Sequence, residues 1–188
     1  PEWNALAGVS VVVSALLLGA IYMFSGSLGT RGRTFLAAVV YTTATITVLA
    51  TVGNVITASM VGFGFARLRF PGRDVLFVLL LSTMMLPPVV TLVPKFIMFR
   101  TIGWNDTFYP LIVPSFFGVS AFNIFLVRQY YLTIPLDLDE AARIDGASSW
   151  KVWWDILVPI SMPVLVAVAI FSFVQHWNEF LDPLVFLH

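Results

Sequence analysis

Apolar segments long enough to cross a bilayer follow one another along this chain, with only short charged loops between them. A helix needs roughly 20 apolar residues to span the hydrocarbon core. The first segment runs from Ala5 to about Phe24, broken only by serines and glycines. It has no basic stretch before it and exceeds a signal-peptide core, so it reads as a membrane helix. The second, Thr34 to Ala66, carries Thr42, Thr43, Thr45, Thr47 and Thr51, followed by Gly53, Ala58 and Gly62. Ala58 and Gly62 share one helix face, where small side chains let a neighbouring helix approach. The third, Val75 to about Phe99, is interrupted by Pro87, Pro88 and Pro94, which kink or break a helix. Broken helices at membrane depth persist where protein or a water-filled cavity covers the freed carbonyls. The prolines therefore mark either a helix end near the interface or the lining of a cavity. The fourth segment runs from about Phe108 to Val127 and the fifth from about Ile160 to Leu187.

Composition removes the soluble alternative. Hydrophobic residues make up 59% of the chain and charged residues 11%, against roughly 25% charged in an ordinary soluble domain. So little polar surface cannot cover a water-facing globule, so lipid is a direct partner. The expected fold is all-α, a multi-pass transmembrane bundle forming a single domain over 1–188. The 10 basic and 10 acidic residues cancel, leaving no positive field for a nucleic acid. Cysteine is absent, which excludes disulfides, thiolate metal sites and a cysteine nucleophile. With two histidines, one of them the last residue, no metal site is expected. The chain opens at Pro1 without a methionine and closes at His188 within an apolar run, and is expected to be a piece of a longer protein.

Basic residues in alternate loops set the orientation. Arg67, Arg69, Arg73, Arg128, Arg143 and Lys151 fall on one side, and Arg31, Arg33, Lys95 and Arg100 on the other. The bias is small, and its sign puts the loops 67–74 and 128–159 in the cytoplasm.

Arg128 to Pro159 is the one long hydrophilic stretch. From Pro135, acids open a short helix, Ala141 and Ala142 favour it, and Gly146 is placed to end it. Ser148 or Ser149 then caps a second helix running toward Ile156. Two uses of such a helical hairpin are open from the residues alone. Small residues at 141, 142 and 146, with Glu140 and Arg143 at the rim, suit docking to a soluble partner. Leu136, Leu138, Ile144 and the Trp150, Trp153, Trp154 cluster equally suit a connector lying on the bilayer.

Glu140-Ala141-Ala142, three residues, Gly146, nine residues, Ile156, one residue and Val158-Pro159 closely resemble the EAA loop, the signature of permeases of ABC importers. Val158 stands where that pattern has Leu. The wording EAARIDGAS at 140–148 resembles the carbohydrate-uptake branch. Further similarity lies at 66–73, in the Pro-rich third segment, at 125–129, at 177–180 and at 183–184. It covers about 35 to 188 and matches the sugar-permease type to which the smaller maltose permease subunit belongs. The resemblance implies a type I ABC importer permease fold, incomplete here because members usually have six helices, in a bacterial or archaeal cell (inner) membrane. It implies that Glu140, Ala141, Ala142, Arg143, Asp145 and Gly146, within a coupling loop 135–159, sit in a cleft of a cytoplasmic ATPase subunit. The implied partners are ABC ATPase subunits, a second permease subunit forming a heterodimer, and an extracytoplasmic sugar-binding protein. The chain has no G-x-x-x-x-G-K-[ST] run, so ATP is expected on the ATPase chain, with no cofactor and no catalytic residue here.

His176, Trp177, Asn178, Glu179 and Asp182 form the densest polar-aromatic cluster in an apolar segment. Asn54, Asn123, Trp177, Asn178 and Glu179 are candidates for a sugar path, since rings stack on aromatics and amides and carboxylates bond hydroxyls. The bland alternative is an interfacial belt for the tryptophan and helix-to-helix hydrogen bonds for the two buried-segment asparagines. An intramembrane enzyme needs clustered nucleophile, acid and base groups at membrane depth, and the acids here sit mostly in the long loop. A passive channel or receptor needs no docking loop. Among transported solutes, a polyol or a phosphorylated glycerol derivative stands as the alternative to a sugar.

Overall fold

A computed structural model describes residues 30–117, 120–179 and 181–186, and all regular structure among them is helical. The expected first span, Ala5 to Phe24, lies outside the described residues. Helix α1 (Thr30–Arg67) is the axis of the assembly. At 1.5 Å per residue its 38 residues measure about 57 Å, well beyond the roughly 30 Å hydrocarbon core. Two of its threonines, Thr45 and Thr57, are accommodated in an apolar setting by bonding back to the helix, whereas the buried Thr47 and Thr51 hydroxyls have no hydrogen-bond partner. Thr45 Oγ1 donates to the Tyr41 carbonyl at 2.8 Å, and Thr57 Oγ1 to the Gly53 carbonyl at 2.7 Å.

The chain then turns at Gly72, whose φ of 81° suits glycine, into α2 (Arg73–Ser82) and a 3₁₀ turn (Thr83–Met85). Pro87 and Pro88 enforce the break read from the sequence: Leu86 is extended, as a residue before proline must be, and α3 (Pro88–Ile102) departs at 105°. Pro94, by contrast, sits inside α3 without ending it. A short α4 (Tyr109–Ile112) and a 3₁₀ turn (Val113–Phe117) lead toward α5 (Ala121–Thr133).

The fourth segment extends past its expected end at Val127. Arg128 is carried within α5, its guanidinium 4.0 Å from the centre of the Phe77 ring and its Nε donating to the Phe65 carbonyl at 3.4 Å. A charge that reads as a helix end is here absorbed by a ring face and a carbonyl. Next come α6 (Asp137–Ile144) and α7 (Ser149–Ile160), the latter with a π-helical turn at Val152–Leu157. An 80° bend separates α7 from α8 (Met162–Trp177), so the fifth segment starts at Met162, and a separate α9 (Leu181–Phe186) follows. Pro183, in the first turn of α9, has no N–H to extend the hydrogen-bond ladder back toward α8.

By length and composition, α1 and the stretch Tyr109–Thr133 are each able to span a membrane, and counting each bent pair, α2–α3 and α7–α8, as one span gives up to four among the described residues. The core forms where α1, α5, α7 and α8 meet, around Ala58, Phe63, Ile124, Val127, Leu157 and Val168. Ala58 and Gly62 do face a neighbour closely: a Cβ on Gly62 would lie 3.0 Å from Val127 Cγ1 and 3.3 Å from the Arg128 backbone nitrogen. On α8, Val164, Leu165, Val168 and Ser172 are buried, whereas Val166, Ile170 and Phe171 face outward as lipid-facing residues must.

Candidate functional site

The hairpin α6–α7 is built by local rules. Asp137, Asp139 and Glu140 occupy the first turn of α6, where carboxylates favour the helix dipole. Gly146 has φ 81°, its N–H bonds the Arg143 carbonyl at 3.0 Å, and the Ala147 N–H bonds the Ala142 carbonyl at 2.9 Å. This is a Schellman ending, with glycine at the left-handed position expected of it. Of the two serines considered as caps, Ser148 performs the role, its hydroxyl accepting from the Lys151 N–H at 3.4 Å.

Two faces of the hairpin differ sharply. Asp137, Glu140, Ala141 and Ile144, spaced along one stripe of α6, are exposed, as are Arg143, Asp145 and Gly146. Ile144 is 87% exposed, an apolar side chain held in the open beside charges. The opposite face carries Asp139 and half-buried Ala142. Asp139 lies 3.3 Å from Arg67 Nε, and both side chains are almost wholly buried. Arg67 Nη2 also donates to the Ile134 carbonyl at 2.8 Å. Burial pushes the Asp139 carboxyl above the ordinary aspartate range, against the pull of Arg67 and Arg143. In α7, Trp153 is buried and its Nε1 donates to Ser59 Oγ at 3.0 Å, while Trp150 and Trp154 are exposed. The Ser59 hydroxyl also shares a 2.7 Å hydrogen bond with the Tyr131 hydroxyl. The loops 67–74 and 128–159 therefore lie at the same end of the bundle.

Far from this hairpin, at the other end of α8, lies a cavity of about 210 Å³. Its polar lining includes Asn54, Lys95, Ser115, His176, Glu179 and Asp182. His176 Nδ1 donates to the Ser172 carbonyl at 2.7 Å, and its Nε2 lies 3.3 Å from Ser115 Oγ, within hydrogen-bond distance. Lys95 Nζ lies 3.8 Å from an Asp182 oxygen. Val89 and Leu92 of α3 also line the space, so the helix broken by prolines does border a cavity.

Of the sugar-path candidates, Asn54 and Glu179 meet at this cavity. Asn123 does not border it: its Nδ2 donates to Ser172 Oγ at 3.0 Å in the buried contact between α5 and α8. Trp177 stacks on Phe173, and Asn178 Nδ2 donates to the Val174 carbonyl at 2.7 Å. Lys95, Ser115, Arg67, Asp139, Ser59 and Tyr131 are among the polar residues at these sites to which sequence reasoning gave no site role. For Asp139 a signal existed, since it falls on the face of α6 opposite the Glu140 stripe. Arg67, closing a long apolar helix, looked like an ordinary interfacial charge.

Comparison with known proteins places this geometry in a family. The family described as the inner membrane component of binding-protein-dependent transport systems matches residues 54–187. A probable ABC transporter permease protein of Bacillus subtilis, YurM, is 35% identical over 142 residues, 76% of this chain and 47% of that protein. GgtD of Synechocystis, an uptake permease for osmoprotective compounds, is 37% identical over 144 residues, 76% of this chain and 48% of that protein. UgpE of Yersinia enterocolitica, a permease of an sn-glycerol-3-phosphate transport system, is 35% identical over 135 residues, 72% of this chain and 47% of that protein. The chain thus spans about half the length of the curated relatives it matches. In fold it is similar to a chain of a bacterial ABC transporter involved in import of the acidic polysaccharide alginate, with a TM-score of 0.68 at 23% identity, covering 100% of this chain and 76% of that one.

Proposed function

Because the chain belongs to the family of inner membrane components of binding-protein-dependent transport systems, we propose that it is a permease subunit of an ATP-driven importer that moves a sugar or oligosaccharide by alternating access. The observation that carries this reading is the hairpin α6–α7. It is anchored on one face by buried polar contacts and bares Glu140, Ala141 and Ile144 on the other. An exposed apolar residue between charges on a rigid, capped helix is what a docking surface for a soluble protein requires. Glu140, Ala141, Ala142, Arg143, Asp145 and Gly146 are the contact set, and the partner is the ATPase subunit, which binds the ATP. A second permease subunit and an extracytoplasmic solute-binding protein complete the machine.

The cavity at Asn54 and Glu179 is the part of the solute path on this subunit. Its lining holds one ammonium, Lys95, against two carboxylates, Glu179 and Asp182. That balance favours an uncharged polyhydroxylated solute and opposes a phosphate ester, although UgpE serves an sn-glycerol-3-phosphate system.

The test is co-purification of the ATPase, with uptake, for Glu140→Lys and Gly146→Leu in the full-length protein. Inverting the rim charge weakens docking by about 1–3 kcal/mol. The leucine strains a position at φ 81° and holds the surfaces apart. Both variants insert normally and lose the ATPase and uptake together. Normal uptake with normal ATPase retention in both leaves the hairpin a mere connector.

A further inference from the structure

Both helices of the hairpin are pinned to the same transmembrane helix. Asp139 of α6 pairs with Arg67 of α1 at 3.3 Å, and Trp153 of α7 donates to Ser59 of α1 at 3.0 Å. Ser59 and Arg67 are eight residues apart, about 12 Å along the axis. One pin leaves a body free to swivel, whereas two separated pins fix its direction. Both are buried, and parting either strands polar groups away from water, a far larger penalty than sliding apolar surfaces past each other. Apolar packing between Leu157 or Val152 and the bundle has no such directionality. The same α1 carries Ile46 and Asn54 to the cavity, Asn54 lying about 20 Å from Arg67 along the helix.

We propose that Arg67 and Ser59 are positioning residues that clamp the hairpin to α1 at two points, so that any displacement of the hairpin is delivered to α1 and through it to the cavity wall. The proposal rests on the hairpin docking an ATPase and adds where the motion goes next. Hairpin and α1 move as one body through the transport cycle. Displacement reaches α5 through the shared Ser59–Tyr131 hydrogen bond and the packing of Gly62 on Val127.

The test uses the full-length protein in its assembled transporter, reconstituted in lipid vesicles, reading solute uptake per ATP hydrolysed. Asp139→Asn keeps the side-chain shape and leaves the Arg67 bond to the Ile134 carbonyl in place, and Trp153→Phe removes one donor. Each retains the ATPase, and the double variant lowers uptake per ATP about fivefold or more, the lower range of coupling between sites. Arg67→Lys loses less than Asp139→Asn. Residues 1–188 hold no cysteine, and in a full-length background cleared of any other cysteine Arg67→Cys with Asp139→Cys gives a second route. Unjoined, this pair loses uptake per ATP, and joined by a bifunctional thiol reagent that spans the gap it regains it. Wild-type coupling in the double variant or in the unjoined cysteine pair overturns the proposal, and so does a joined pair that halts transport, because then the joint must open. Loss of uptake only in proportion to lost assembled complex also overturns it, reducing both contacts to scaffolding. Should Glu140→Lys and Gly146→Leu instead leave docking and uptake intact, the docking reading itself falls, separately from the clamp.

Discussion

Three glycines on α1 offer a direct measure of how closely its neighbours approach. A Cβ at Gly62 would meet Val127 Cγ1 at 3.0 Å, Val127 Cβ at 3.2 Å and the Arg128 backbone nitrogen at 3.3 Å. At Gly53 it would run 2.6 Å from the Phe116 ring, and at Gly64 it meets nothing within 4 Å. Replacing any of them by alanine gains roughly 0.5–1 kcal/mol from helix propensity, and because all three sit in one helix that gain is common to them. What remains between positions is contact. At Gly64 nothing opposes the gain, so Gly64→Ala is neutral to stabilising. At Gly62 the obstructing atoms include backbone and a β-branched side chain already buried, so an overpacking cost of about 1–3 kcal/mol applies in full. Phe116 is partly exposed and its ring can swing, so Gly53→Ala falls between the two. The assay is thermal unfolding of the purified full-length protein in detergent, comparing midpoints among the three variants. The expected order of stability is Gly64→Ala, Gly53→Ala, Gly62→Ala. A Gly62→Ala protein as stable as Gly64→Ala refutes close packing of α1 on α5.

Three further outcomes follow from the same geometry. Glu179→Gln alters uptake without reducing assembled complex, whereas Asn178→Ala, whose amide bonds the Val174 carbonyl, leaves uptake near normal; the reverse pattern, measured in transport assays with complex yield as control, removes the cavity from the solute path. Lys95→Gln leaves Asp182 without its partner at a partly exposed site, so stability changes by no more than about 1 kcal/mol, while uptake of an anionic solute, read in competition assays, falls further relative to that of a neutral one. Ser148→Cys is labelled by an impermeant thiol reagent in inverted vesicles and not in intact cells; strong labelling from outside reverses the topology.

The sequence made the helical class and the hairpin legible because both rest on local chemistry. Apolar runs, a proline pair, an acid-rich first turn and a glycine at a helix end each act within a few residues; the last three are found where the chain pattern puts them, while the fourth and fifth apolar runs differ in their bounds. Tertiary compensation was not legible. Arg128 looked like a helix terminus and is absorbed by the Phe77 ring and the Phe65 carbonyl, partners more than 50 residues away. Asp139 looked like one acid among three in a solvated turn; its place on the face opposite Glu140 was readable, but its pairing with Arg67, 72 residues away, is shown only by the fold. Asn54 and Asn123 were equivalent on paper. One borders the cavity, and the other bonds Ser172 in the α5–α8 contact.

The buried pair Arg67–Asp139 is hard to explain as a device for stability. Ion pairs in low-dielectric surroundings lose hydration on both sides, and well-packed apolar replacements are often as stable or more so. Here the balance is visible: burial lifts the Asp139 carboxyl above its ordinary range despite the adjacent guanidinium. Arg67 Nε and Asp139 Oδ1 have no hydrogen-bond partner in the buried site. What such a pair supplies is direction, since the two buried charges face each other at one relative placement of the two helices and are left uncompensated elsewhere. That property suits a joint between an exposed docking surface and a helix that reaches the cavity. It leads to one last expectation. Replacing both partners by apolar residues of similar volume, Arg67→Met with Asp139→Leu, keeps the protein at least as stable in thermal unfolding while lowering uptake per ATP. A double variant that gains stability and transports with unaltered coupling refutes the claim that direction, and not cohesion, is what the pair provides.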